Sequence, residues 1–109
     1  MATTYKVLGQ SNPSAATLTS LYTAPAATQA VVSSIVVANL TATDATFRLA
    51  VRPAGASISD EHYIGYDITV GASDSTVLTM GITMEATDVL SVYASSADVS
   101  FNAYGSEIA

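Results

Sequence analysis

The chain has 109 residues, which fits one domain with a single core and leaves no room for a second. Half of the residues are hydrophobic, only 11% are charged, cysteine is absent and the formal net charge is −6. Disulfides and thiolate metal sites are therefore excluded. The basic residues are Lys6, Arg48 and Arg52 alone, too few for the cationic footprint that nucleic acid or an anionic membrane demands. Ala, Thr and Ser supply most of the uncharged surface, and a surface so poor in charge is expected where partners cover much of it. Met1-Ala2-Thr3-Thr4 reads as a plain cytosolic start, and no apolar run approaches the ~20 residues of a membrane helix.

The dominant period along the chain is two, the signature of strands. Strands are expected near 4–9, 17–23, 29–39, 45–52, 61–70, 75–84, 88–94 and 98–105, about eight in all. Residues 1–9 read as an arm or an edge strand, able to add to a neighbour, and residues 10–16 (QSNPSAA) as a loop. Residues 30–38 (AVVSSIVVA) are apolar on both faces, so the strand is buried on both sides, under a loop or under another subunit. Alternation is cleanest in 46–52, with Phe47, Leu49 and Val51 inward and Thr46, Arg48, Ala50 and Arg52 outward.

Pro53 ends that strand, and 53–60 (PAGASISD) is the longest candidate loop. In 62–70 the expected core face is Ile64, Tyr66, Ile68 and Val70, with Asp67 on the opposite face and able to pair with Arg48 or Arg52. In 77–84 it is Leu78, Met80, Ile82 and Met84. Residues 89–94 (VLSVYA) are again apolar on both faces, and 98–104 points Val99, Phe101 and Ala103 inward. Asp- and Ser-rich clusters at 41–44, 72–75, 86–88 and 95–98 precede strands, as turns made by side chains that bond the local backbone. The pattern predicts one all-β domain over 1–109: an antiparallel β-sandwich, jelly-roll-like, of about eight strands.

Little in the chain reads as chemistry, and no enzyme is expected. The lone histidine, His62, follows Asp60 and Glu61, but contiguous strand residues point to opposite faces and do not converge on a metal. No serine stands in a Gly-x-Ser-x-Gly elbow, and no glycine-rich phosphate loop is present, so no cofactor is expected. Asn39-Leu40-Thr41 matches a glycosylation sequon by chance. The six tyrosines serve as strand formers or, on an exposed sheet face, as stacking groups for sugars or partner proteins. The residues expected at an interface are Val31, Ile35 and Val37 of the first two-sided strand, Tyr93 of the second, and Tyr63.

The runs YKVLGQSNP, SLYTAPAATQAVVSSIVVAN, FRLAVRPAGASISDEHYI and ITMEATDVLSVYASSADVSFNAYGSEI together resemble small structural proteins of tailed bacteriophages of the marine and cyanophage type. The most specific pieces are Leu21-Tyr22-Thr23-Ala24-Pro25, Val51-Arg52-Pro53-Ala54-Gly55 and Tyr104-Gly105-Ser106-Glu107-Ile108. The resemblance implies a virion component without catalytic residues. As a capsid decoration (cement) protein, the chain would bind itself, as a homotrimer, and the major capsid protein on the capsid exterior. As a tail, neck or fibre component it would touch a glycan on the host surface.

Overall fold

A computed structural model describes residues 2–109; Met1 of the 1–9 segment lies outside the described residues. Eight strands are formed: β1 (Thr3–Ser11), β2 (Thr19–Thr23), β3 (Gln29–Asn39), β4 (Ala45–Arg52), β5 (Tyr63–Val70), β6 (Ser75–Met84), β7 (Val89–Ala94) and β8 (Val99–Ile108). They pair antiparallel in two four-stranded sheets, ordered β1-β8-β3-β6 and β2-β7-β4-β5. Strands 1–8, 2–7, 3–6 and 4–5 are nested pairs, so the chain behaves as one long hairpin rolled up across two layers, with β3–β8 and β4–β7 closing the sheets. This is the jelly-roll connectivity. Of the arm and the edge strand allowed for residues 1–9, the described residues form the edge strand of the chain's own first sheet, held to β8 from Thr3 to Ser11.

The core lies between the layers. Phe47 and Leu49 of β4 and Leu90 and Val92 of β7 meet Ile35 and Val37 of β3 and Val99 and Phe101 of β8, all with no exposed surface. Phe47 and Phe101 approach edge to face across the layers, ring centroids 6.1 Å apart. Burying each such side chain contributes about 1.5–3 kcal/mol, which serves a chain without cysteine staples. At the rim the layers approach closely at Gly9, where a Cβ would overlap the Leu21 carbonyl oxygen, so only glycine fits.

Two of the register shifts decide where expected core and interface residues point. In β3, Val32 opposes Gly105 and Ser34 opposes Tyr104, leaving Ser33 as an extra residue. The inward set therefore changes phase, from Ala30 and Val32 to Ile35, Val37 and Asn39. In β5, Phe47 opposes Ile68 and Leu49 opposes Gly65, so Tyr66 and Asp67 together oppose Arg48. Asp67 takes a left-handed φ of 50°, the conformation that lets a bulge absorb one residue. The expected core face of β5 is corrected accordingly. Ile68 and Val70 point inward, but Ile64 and Tyr66 lie outside, 45% and 58% exposed. Met80, expected inward, sits at the point where β6 slips against β3 and stays outside the core cluster.

Candidate interaction surfaces

The two outer sheet faces differ in what covers them. On the β2-β7-β4-β5 face, the ladder sets Arg48 opposite Tyr93, Ala50 opposite Ser91 and Arg52 opposite Val89, and directly opposed residues share a face. The Arg48 guanidinium lies 4.1 Å from the centre of the Tyr66 ring and 4.2 Å from that of Tyr93. Its Nε donates to Asp67 Oδ1 at 2.7 Å, the pairing with Arg48 that the sequence allowed. Tyr63 packs edge to face on Tyr66, centroids 5.0 Å apart. The cation stays charged: the Asp67 carboxylate holds the Arg48 pKa above its ordinary value, with Tyr66 and Tyr93 adding to the same direction.

Beside this stack the chain covers itself. Arg52 Nε donates to Ser91 Oγ at 3.1 Å, and its Nη1 donates to the carbonyls of Gly55 and Ala56 at 3.3 and 3.0 Å. The Ala54 amide donates to Asp88 Oδ1 at 2.9 Å, and the turn passes Gly55 at φ 70° within van der Waals reach of Val89. Val89 and Ser91, the second face of the apolar run 89–94, are thus buried under the chain's own 53–56 turn. Of the two covers the sequence left open for this strand, the structure has the loop.

Among the described residues the β1-β8-β3-β6 face has no such cover. Its rows are Tyr5–Ser106–Val31–Thr83, Val7–Tyr104–Ser34–Thr79, Gln10–Asn102–Val36–Val77 and, at the far end, Ser100–Ala38–Ser75. None of these residues carries a charge. Tyr5 is 83% exposed and Val77 60%. Two charges within β1 and β8, Lys6 and Glu107, turn off this face: Lys6 Nζ lies 2.7 Å from Glu107 Oε1, and Tyr22 Oη of the opposite sheet donates to Glu107 Oε2 at 2.5 Å. Lys6 first and Tyr22 second hold the Glu107 carboxyl below the usual carboxylate range, while burial first and Glu107 second push the Tyr22 hydroxyl up.

The residues expected at an interface are therefore divided. Val31 is half-buried on the bare face, and Tyr63 and Tyr93 are half-buried around Arg48. Ile35 and Val37 are corrected: both lie in the sandwich's own core with no exposed surface, because the extra Ser33 turns them inward. Their place on the outer face belongs to Val36, which the sequence reading missed together with Val7, Val77 and Tyr104. A phase change marked by adjacent serines was the available signal.

The polar candidates are engaged locally. His62 Nδ1 accepts the Ser59 amide at 3.1 Å, closing a turn, and Glu61 lies 4.0 Å from His62 Nε2. Among the described residues no three His, Asp or Glu side chains are grouped to hold a metal ion. Asn39 of the sequon is buried, its Nδ2 donating to the carbonyls of Thr43, Val70 and Gly71, so the amide is unavailable to a glycosylating enzyme in the folded chain. An open cavity of about 470 Å³ lies at the end of the first sheet, lined by Val31, Met84 and Ile108 and by the polar Gln29, Thr83, Glu85 and Asp88. In comparisons with known proteins, no family model and no curated protein matches the chain.

Proposed function

We propose that the chain is a non-catalytic structural subunit that assembles through the bare β1-β8-β3-β6 face. The observation that carries this reading is the absence of any charge from four strands' worth of exposed sheet in a chain of net charge −6. Strands ~4.8 Å apart and ~30 Å long give roughly 600 Å² per face, so this face and the partner surface laid on it together clear the ~1,000 Å² expected of a specific interface. A face without charge also removes the desolvation cost that buried ions would impose on association.

Joined to the resemblance to small phage virion proteins, this makes the chain a capsid decoration protein. It associates with itself as a homotrimer and clamps the major capsid protein from the capsid exterior. The engagement of His62 and of both Asp88 oxygens in local backbone bonds supports a role without catalysis. The alternative, a tail or fibre part that binds a host glycan through its tyrosines, has less support, since Arg48 already occupies a face of both the Tyr66 and Tyr93 rings. Sedimentation at micromolar concentration and imaging of a labelled chain on intact particles test the reading. Trimers and density over the shell are expected. A persistent monomer that leaves the shell bare overturns it, and a signal on a glycan array with density at the tail favours the alternative.

A further inference from the structure

The two sheets present four edge strands, each with a register shift, and three add a further device that discourages the addition of another strand. β2 is only five residues long. β5 is twice out of register with β4 and has Asp67 in a left-handed conformation. β1 carries Lys6 and a bulge at Leu8. Lysine, bulges and shortness are the usual protections of an edge. β6 is the least protected: it runs ten residues, STVLTMGITM, with neither a charge nor a proline, and its one irregularity is the bulge at Met80 and Gly81 against Ser33. From Ser75 to Thr79 it stays in unbroken register with Ala38 to Ser34 of β3, its free side continuous with the uncharged face.

The two ends of β6 are acidic. Asp74 precedes it and Glu85 follows it, both exposed. At the Met84 end lies the open cavity lined by Val31, Met84 and Ile108 and by the polar Gln29, Thr83, Glu85 and Asp88. A slot of mixed apolar and acidic lining suits a long side chain with an aliphatic stem and a cationic head.

We propose that β6 takes up a strand from a different protein: an extended segment, uncharged along its middle and bearing Lys or Arg at its ends, one of which seats its stem in this cavity with its head at Glu85. A second copy of the chain is the poorer occupant. Two β6 edges laid antiparallel about the strand centre set Asp74 of one copy opposite Glu85 of the other, and like charges directly opposed are destabilising. Nor can another part of this chain supply the cations. Its three basic side chains are Lys6, Arg48 and Arg52, engaged respectively by Glu107, by Asp67 and by Ser91 with the 53–56 turn. The inference goes beyond the assembly reading, since the open edge and its acids belong to the chain whatever the partner is.

The test uses the full chain and three labelled peptides of about ten residues: alternating Thr and Val with Lys at both ends, the same with Glu at both ends, and the Lys-ended peptide with two central prolines. The Lys-ended peptide is expected to bind about tenfold more tightly than the Glu-ended one at low salt, with the preference shrinking at high salt. The proline peptide should not bind, and hydrogen exchange should slow within Ser75–Met84 on binding. Glu85→Lys, at an exposed position, should keep the melting temperature and erase most of the preference. Equal binding of Lys- and Glu-ended peptides, or protection on another strand, overturns the proposal. So does protection of β6 on concentrating the protein alone, which would give the edge to a second copy. None of these readouts involves a capsid, so they fail or succeed independently of the particle imaging.

Discussion

The two outer faces of the sandwich start from similar sequence material and end in opposite conditions. β7 and β3 both read as apolar on two sides. Over β7 the chain folds its own 53–56 turn back and ties it down with Arg52, and Arg48 clamps Tyr66 and Tyr93 alongside. Over β3 nothing of the described chain returns, and Val36 and Val77 sit among serines and threonines on an uncharged face. The lesson is that two-sided apolarity has two physical outcomes. One is closure within the chain, which needs a loop long enough and a side chain to hold it. The other is a face left for something else.

The largest expected effect falls on what both faces share. Phe101→Ala removes the edge-to-face partner of Phe47 from a site with no exposed surface and should cost about 3–5 kcal/mol in denaturant unfolding. If the loss were under ~1 kcal/mol, the two layers would not share the core described here.

Arg52→Ala breaks only the closed face. It frees the 53–56 turn and leaves the Ser91 hydroxyl without its donor, so a loss of about 1–3 kcal/mol is expected, with faster hydrogen exchange over Val89–Ser91 and none over β3.

Glu107 ties the sheets from the rim, and its contribution depends on pH. Its carboxyl is held low in the folded chain, so its stabilising effect is present above the unfolded value of about 4.3 and is lost as pH falls through the lower folded value. Melting temperature should therefore drop on acidification below that unfolded value. In Glu107→Gln that part of the drop should vanish, leaving the curve flatter at acid pH and lower at neutral pH.

Val77→Lys should change stability least, within about 0.5 kcal/mol, since the side chain is 60% exposed. It places a charge in the bare face, and self-association measured by sedimentation should fall. Unchanged assembly would show that the faces are alike in use, whatever their difference in cover.

Most of the secondary structure was legible because strand alternation and polar turns are local signals. The expected 29–39, 45–52 and 75–84 coincide with β3, β4 and β6, and the other strands differ at their ends by one to three residues. The faces were legible only where register is unbroken. Phe47 and Leu49, and Val99, Phe101 and Ala103, point inward as their period requires. Ile64 and Tyr66 do not, because one residue absorbed at Asp67 exchanges inside for outside as far as the second register shift, between Gly65 and Tyr63. Ser33 does the same to Ile35 and Val37, and removes them from the candidate surface.

The sequence by itself determined the class of fold, the positions of the strands, the residue types of the core and the shortage of charge. These follow from period, turn chemistry and composition, each set by neighbours along the chain. Only the tertiary structure decided which sheet each strand joins, which apolar face is closed and which is bare, and that β6 is the least protected edge. Those depend on pairings between residues far apart in sequence, where a single extra residue in a strand reverses the direction of the side chains beyond it.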